Sequence, residues 1–348
     1  MVDTGVGTGA DTGAGTGAAT RTDAPTDMLA AVAVAADRAN PLAALDVRRI
    51  LRPAPPEHWT VVDVRAASLN QHDLWSLRGV GLSADLLPMV LGTDAAGVTA
   101  DGREVVVHAV IGATGHGVGP DERRSLLSER YPGTLAEQVA VPTWNLVAKP
   151  PELTFEEAAC LPTAWLTAYR MLFVSAGLRP GDRVLVQGAG GGVSTAAVAL
   201  GAAAGLEVVV TSRDEGRRER ARALGAAHAV DPGGRLPFRV DAVLETVGQA
   251  TWAHSMRAVR PGGTVVVAGA TTGDQPGAEL SRLFFTELRV VGATMGTKED
   301  LEALLRFCAR SGVRPVIDSV VPLTRVGDGL ARLASGEHFG KVVVTGPA

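Results

Sequence analysis

The sequence predicts an α/β fold in which a doubly wound parallel sheet follows an irregular, mostly β domain. Three observations carry this. Short strands and helices alternate from about residue 159 to 296, and the strand cores 208–210 (VVV), 242–244 (AVL) and 265–267 (VVV) are apolar throughout, as parallel strands covered on both faces must be. At 184–204 a strand, a glycine-rich turn and an apolar helical segment follow one another without a gap. Before this block alternating apolar segments are separated by Pro and Gly, and after it β character returns at 313–323 and 340–346.

The elements follow in order. DTGVGTGA at 3–10 repeats as DTGAGTGA at 11–18 with almost no side-chain mass. Such a segment cannot bury enough apolar surface to offset its ordering entropy, so residues 1–27 are expected to be a disordered tail. From Met28, strands are predicted at 30–34, 45–51, 59–70, 103–111, 135–142 and 145–150, with Pro53, Pro55, Pro56, Gly92, Gly97 and Gly102 in the turns. Residues 155–177 read as helix, with Pro162 marking a break or kink. A helix at 299–310 ends at Ser311-Gly312, and the last β segments are expected to rejoin the first domain. The division is thus 28–158 with 297–348 in one domain, and 159–296 in the other.

The totals exclude several classes. A chain of 348 residues that is 46% hydrophobic suits about two domains with sizeable cores. A net charge of −4 points to neither nucleic acid nor an acidic membrane surface. No apolar run reaches the roughly 18 residues a membrane span needs. The two cysteines, Cys160 and Cys308, sit in apolar helical contexts and are expected to be buried and reduced; they cannot form a four-thiolate zinc site.

The turn at 184–194, VLVQGAGGGVS, carries the chemistry. Gly188, Gly190, Gly191 and Gly192 let the chain turn tightly and approach a pyrophosphate, and the helix that opens at Val193 offers free N–H groups. A second strand about 20 residues on completes a dinucleotide-binding pattern. That strand ends in Ser212 and Arg213, with Arg217 and Arg218 just beyond, where an NAD site would carry an acidic residue. A guanidinium beside a small hydroxyl suits a 2′-phosphate, so the expected cofactor is NADPH. Asp214 and Glu215 weigh against this, and the competing reading is a solvated helix start. Thr246 and Val247 close the fourth strand of this block and Gly269, Ala270 and Thr271 the fifth, both at the carboxyl edge where ligands bind.

The order of these parts resembles the medium-chain dehydrogenase/reductase superfamily over residues 28–348, and most closely its zinc-independent, quinone-oxidoreductase-like branch. ASLNQHDLWSLRG (67–79), LGTDAAGV (91–98), FEEAACLPTAWLTAYRML (155–172), GAGGGVS (188–194), LRPGDRVLV, ALGAAHAVD, RPGGTVVVAG and FGKVVV carry the resemblance. One residue departs from it, Ser194 standing for the last family glycine. The resemblance implies a GroES-like β-rich catalytic domain joined to a Rossmann cofactor domain. The zinc branch takes its metal from Cys, His, Glu and Cys; at the matching positions this chain has Asn70, Thr93, Asp94 and Thr163. The stretch matching the family's four-cysteine lobe, 108–134, has no cysteine, and its His108, His116, Asp121 and Glu122 read as unrelated polar residues. No metal is therefore expected.

Without a Lewis acid, hydrogen-bond donors must polarise the acceptor, which favours acceptors that already delocalise charge. Asn70, Trp75, Thr163 and Thr167 are the expected catalytic residues, with Thr93 a further donor. Asn70 should face the nicotinamide or the substrate oxygen unless it only caps the chain. Trp75 stands where relatives often carry Tyr; an indole N–H donates a hydrogen bond but gives up no proton. His72 beside Asp73 resembles a dyad, but strand neighbours face opposite ways. Tyr131 is a weaker donor candidate. Lys341 resembles a family basic residue near the phosphates. Phe284, Phe285 and Met295 are expected in the core or against the nicotinamide. The expected function is an NADPH-dependent, zinc-independent reductase passing hydride to a quinone or an α,β-unsaturated carbonyl, with a zinc-free alcohol dehydrogenase or carbonyl reductase, or a low-turnover NADPH-binding protein, as alternatives. The partner is a small molecule, the compartment cytoplasmic, and the state a homodimer, for which strand 288–293 offers an edge.

Overall fold

The computed structural model describes residues 26–112 and 124–346. The expected tail lies outside the described residues up to position 25, as do His116, Asp121 and Glu122. The chain opens with β1 (Asp27–Ala33), β2 (Leu45–Leu51), β3 (Trp59–Ser68), α1 (Gln71–Leu77), β4 (Met89–Val90), β5 (Asp94–Thr99), β6 (Glu104–Val107), β7 (Val110–Gly112), β8 (Arg124–Leu126), β9 (Gln138–Pro142) and β10 (Leu146–Ala148). A helical crossing follows: α2 (Phe155–Ala159), a π turn Leu161–Trp165, α3 (Leu166–Tyr169) and a second π turn Arg170–Ser175. The alternating block is β11 (Arg183–Val186), α4 (Gly192–Ala203), β12 (Glu207–Thr211), α5 (Glu215–Ala223), β13 (His228–Val230), β14 (Val240–Glu245), α6 (Gln249–Ala258), β15 (Val259–Val267), α7 (Leu280–Phe285) and β16 (Arg289–Gly292). The chain closes with α8 (Lys298–Ser311), β17 (Ile317–Pro322), α9 (Val326–Ser335) and β18 (Lys341–Thr345).

The second domain is a six-stranded parallel sheet in the order β13-β12-β11-β14-β15-β16. Strand order reverses beside β11, so the helices after β11 and β14 diverge and leave a crevice at the carboxyl edge. The first domain holds a seven-stranded sheet, β10-β6-β5-β3-β18-β17 with β9 also on β3. β18 lies antiparallel to β3 and parallel to β17, so the end of the chain completes the first domain. One apolar cluster runs through both domains: Val62 and Ala95 from the first sheet, Leu161, Trp165 and Leu166 from the helical crossing, Val184 from the second sheet and Leu301 from α8. The crossing is therefore the packed wedge between the two sheets. Among the described residues no helix is long and apolar enough to cross a membrane.

Three local expectations are corrected and one holds. The strand expected through position 70 stops at Ser68, and residues 71–77 form α1. The Asp73 carboxylate accepts the Asn70 amide at 2.8 Å, so Asn-x-x-Asp starts a helix here and overrides the alternating pattern. His72 and Asp73 are thus helix neighbours. The strand expected over 103–111 is broken after Val107. The break expected at Pro162 is present: α2 ends at Ala159 and the chain widens into a π turn with Pro162 at its start. Phe284 and Phe285 are exposed on α7 rather than buried.

Candidate active site

The glycine turn stands as its residue types dictate. Gly188 and Gly190 take φ of +81° and +112°, where a side chain would be strained. The Gly188 N–H donates to the Thr211 hydroxyl at 2.9 Å, which donates in turn to Gln187 Oε1 at 2.9 Å, tying the turn to the end of β12. At Gly192, the first residue of α4, a Cβ would lie 2.9 Å from Lys341 Cδ and 3.1 Å from Ala164 Cβ. Only glycine lets the helix start pass so close to the other domain. Ser194 donates back to the Gly191 carbonyl at 3.0 Å, so its hydroxyl closes the helix turn rather than facing the crevice.

Two cavities meet the turn from opposite sides. One, of about 570 Å³, is lined by Gly188, Ser212, Arg213, Arg217 and Val247 among others. The other, of about 320 Å³, is the cleft between the domains; it is lined by Gly191, Gly192, Val193, Thr246, Gly269 and Thr271 from the cofactor domain and by Asn70, Trp75, Thr163, Thr167 and Lys341 facing them. Ala270 lines neither, and packs so close to Gly248 that a Cβ there would come within 2.9 Å of its Cα. This arrangement fits a dinucleotide laid across the sheet edge: a cradle free of Cβ atoms in the middle and space on both sides.

Among the described residues, one cation of the far cavity is uncommitted. Asp214 lines this cavity but its carboxylate caps α5 by accepting the Arg217 N–H at 2.7 Å, and Glu215 is paired with Arg218 and Arg222. Arg218 is held further by Asp231 and by the Ser212 carbonyl at 2.6 Å. The Arg217 guanidinium donates to the carbonyls of Gly336 and His338. Arg213 is exposed, and among the described residues no carboxylate pairs with it.

At the catalytic end the four positions of interest form one buried network around Lys341. Its ammonium donates to Asn70 Oδ1 at 2.6 Å, Leu69 O at 2.8 Å and Asp94 Oδ2 at 3.1 Å. Asp94 Oδ2 also accepts Ser68 at 2.7 Å and Asn70 Nδ2 at 2.8 Å. Asn70 Nδ2 reaches Thr93 at 3.3 Å, and the Thr93 and Thr163 hydroxyls share a hydrogen at 2.9 Å. The Asn70 carboxamide is therefore committed at both ends; its oxygen faces the ammonium and its nitrogen the carboxylate. Lys341, expected near the phosphates, touches Gly192 only with its stem. This donor set does not fit zinc: an amide, two hydroxyls and a carboxylate already paired with an ammonium offer neither imidazole nor thiolate. Thr167 donates to the Thr163 carbonyl at 2.7 Å. Trp75 is half-buried in the cleft wall.

The sequence missed two contributors, Glu129 and Glu245. His72 and Glu129 line the cleft as a pair, Nε2 to Oε1 at 2.9 Å. Glu129 lies in the stretch matching the shortened lobe, and no local pattern announces a partner 57 positions away. Glu245, fully buried at the end of β14, accepts the N–H of Val247 at 2.8 Å and of Gly248 at 3.0 Å, and the hydroxyls of Thr251 and Ser255 at 2.8 and 2.6 Å. It shapes the 246–248 turn that walls the cleft.

The remaining candidates are not brought to the site. Asp73 turns to the N–H of Asn70 and Gly92, and burial pushes its carboxyl up. Tyr131 packs edge-on against Trp59 with ring centres 5.1 Å apart, beside a separate cavity. His108 is buried with Nε2 at 2.9 Å from the Gly296 carbonyl. Cys160 and Cys308 are buried free thiols, pushed up to about 12 by burial and so inert as nucleophiles. Of the three apolar candidates only Met295 reaches the cleft.

A family profile described as zinc-binding dehydrogenase matches residues 192–310. That span excludes Asn70, Thr93, Asp94 and Thr163, so the match concerns the cofactor domain. The 2-methylene-furan-3-one reductase of Solanum lycopersicum is 33% identical over 300 residues, 83% of this chain and 72% of that protein. A solved NAD-dependent alcohol dehydrogenase superposes with a TM-score of 0.84 at 33% identity, covering 91% of this chain and 99% of the other. A 2-octenoyl-CoA carboxylase reductase solved with NADP and 2-octenoyl-CoA gives a TM-score of 0.82 at 25% identity, covering 92% and 88%.

Proposed function

The chain belongs to the medium-chain dehydrogenase/reductase superfamily, and from that premise we propose that it is an NADPH-dependent, zinc-independent reductase acting on an α,β-unsaturated carbonyl or a quinone. It is an oxidoreductase with a nicotinamide cofactor and a small-molecule substrate; the choice of NADPH and of acceptor is our reading. The observation that carries this reading is the Lys341–Asp94–Asn70 network in place of a metal-ligand set. With no Lewis acid, the developing negative charge must be spread by the substrate itself and met by hydrogen-bond donors.

NADPH supplies a hydride when bound. The residues here bind, orient and exclude water. The glycine turn and the N-terminus of α4 take the pyrophosphate. Arg213 and the Ser212 hydroxyl take the 2′-phosphate, and the 246–248 and 269–271 segments wall the nicotinamide. The Thr163 hydroxyl, backed by the buried Thr93 hydroxyl, and the Trp75 N–H are the donors for the substrate oxygen. The likeness to an enone reductase and to an NADP-bound enoyl-CoA enzyme supports the choice of a conjugated acceptor.

Steady-state oxidation of NADPH against a panel of quinones, enones and simple ketones tests the assignment. Turnover is expected with the first two. Turnover with ketones alone would favour the alcohol dehydrogenase reading, and tight NADPH binding with no turnover the binding-protein reading. Arg213→Ala should weaken NADPH about tenfold, the low end for a charged hydrogen bond, and leave NADH unchanged. Equal losses for both cofactors would refute the 2′-phosphate contact.

We also propose a homodimer. β16 is an edge strand of its sheet, and beside it Leu280, Phe284 and Val290 are exposed, with Phe285 at 80%. Such a patch on an unpaired edge suits a second copy. Light scattering should give twice the chain mass for the native protein and one chain mass for Phe285→Asp.

A further inference from the structure

We propose that His72, held by Glu129, is the group that protonates the reduced substrate. The inference rests on the reductase reading above and supplies what that reading lacks, a proton source.

The other polar groups of the cleft do not release a proton to it. Trp75 has a hydrogen to share in a bond but none to release. The Lys341 ammonium is enclosed by three acceptors and reaches no open space, being 2% exposed. Asp94 is fully buried behind Asn70 and Lys341, and Asp73 is turned to backbone N–H groups. A second imidazole, His338, lines the same cleft, but burial pushes its titration down, which disfavours the acid form.

His72 differs on each point. It sits one turn into the cleft wall on α1, with side-chain exposure of 17%, and its Nε2 lies 2.9 Å from Glu129 Oε1. Its Nδ1 faces the Ser128 hydroxyl at 3.4 Å. Glu129 is 32% exposed, so the pair joins the cleft to solvent. Burial alone would push the imidazole down. The Glu129 hydrogen bond and the carboxylates of Glu129, of Asp73 on the same helix and of Asp94 on β5 outweigh it, and the net direction is up. Lys341, the cation behind Asp73 and Asp94, is engaged with Asp94. Its surroundings therefore favour the protonated imidazole, at the wall of the cavity that contains the helix N-terminus of the cofactor site.

The step balances. Once the reduced nicotinamide has supplied its hydride at the β-carbon, the former C=C electron pair rests on the α-carbon and the carbonyl oxygen. The imidazolium N–H bond breaks, its electrons stay on nitrogen, and the proton forms the new bond at the α-carbon or oxygen. Glu129 keeps the ring oriented, and the neutral imidazole regains a proton from water at the cleft mouth.

Two measurements test this. In cofactor-free protein, the His72 imidazole should titrate by NMR with a midpoint above the ordinary 6.5, and Glu129→Gln should move that midpoint down. In turnover, the native kcat should fall as pH rises through the same midpoint, because the acid must be protonated. His72→Gln should lose about 100-fold in kcat, the low end for a general acid, lose that alkaline limb, and keep NADPH affinity and melting temperature. Glu129→Gln should shift the limb to lower pH, and added imidazole should partly restore His72→Ala. A His72→Gln enzyme within threefold of native kcat, or a His72 midpoint below 6.5 unmoved by Glu129→Gln, would overturn the proposal. If the native protein reduces no acceptor, the reductase reading itself fails and the proton role falls with it; the NMR midpoints still tell the two failures apart.

Discussion

Lys341→Met should lower stability by about 3–5 kcal/mol, the range for breaking a buried ion pair from one side. The variant keeps the apolar stem and removes the charge. Asp94, fully buried, is then left with only the Ser68 hydroxyl and the Asn70 amide, and the carbonyl oxygens of Leu69 and Asn70 lose their donor. The cost comes mainly from the stranded carboxylate, not from the lost attraction. The double variant Lys341→Met with Asp94→Asn should therefore recover most of the loss. Urea unfolding with an unchanged m value checks both. If the single variant loses under 1 kcal/mol, Asp94 does not depend on the Lys341 ammonium as described.

Glu245→Ala should cost about 3 kcal/mol and weaken NADPH about tenfold. Two backbone N–H groups, of Val247 and Gly248, lose their acceptor. Each buried donor left unpaired costs about 1–3 kcal/mol. The hydroxyls of Thr251 and Ser255 can turn elsewhere, so they add less. The effect on cofactor follows from position: Thr246 walls the cleft and Val247 the far cavity. Thermal melting and NADPH fluorescence separate the two effects. Unchanged NADPH affinity in a destabilised variant would mean that Glu245 supports the fold and not the turn.

Much of the fold was legible because it is written in short-range patterns. The apolar strand cores at 208–210, 242–244 and 265–267 are buried parallel strands, and the glycine turn stands between β11 and α4. The expected cofactor residues other than Gly190 and Ala270 border the two cavities at that turn. The catalytic end was less legible because its chemistry is made by long-range pairing. Asn70 was expected to face the substrate, and its committed carboxamide follows from a lysine 271 positions away. Arg213 was legible from its place at a strand end. That Asp214 and Glu215 would be engaged locally required knowing where α5 begins. His72 was misplaced because α1 begins with a capping pair inside an alternating text, and its partner Glu129 has no local signature at all.

The last strand has a consequence for how the protein is made. β18 pairs with β3, and it carries the lysine whose ammonium meets Leu69 from 272 residues away. During synthesis the amino-terminal half leaves the ribosome first, with residues 66–68 of β3 unpaired on one flank and the Asp94 carboxylate without its counter-ion. The cofactor domain, whose six strands are contiguous in the chain, can close while that half still waits. The catalytic domain is therefore the last part to mature, and a chain cut short before Lys341 would keep its dinucleotide crevice while leaving an open sheet edge prone to pairing with other chains.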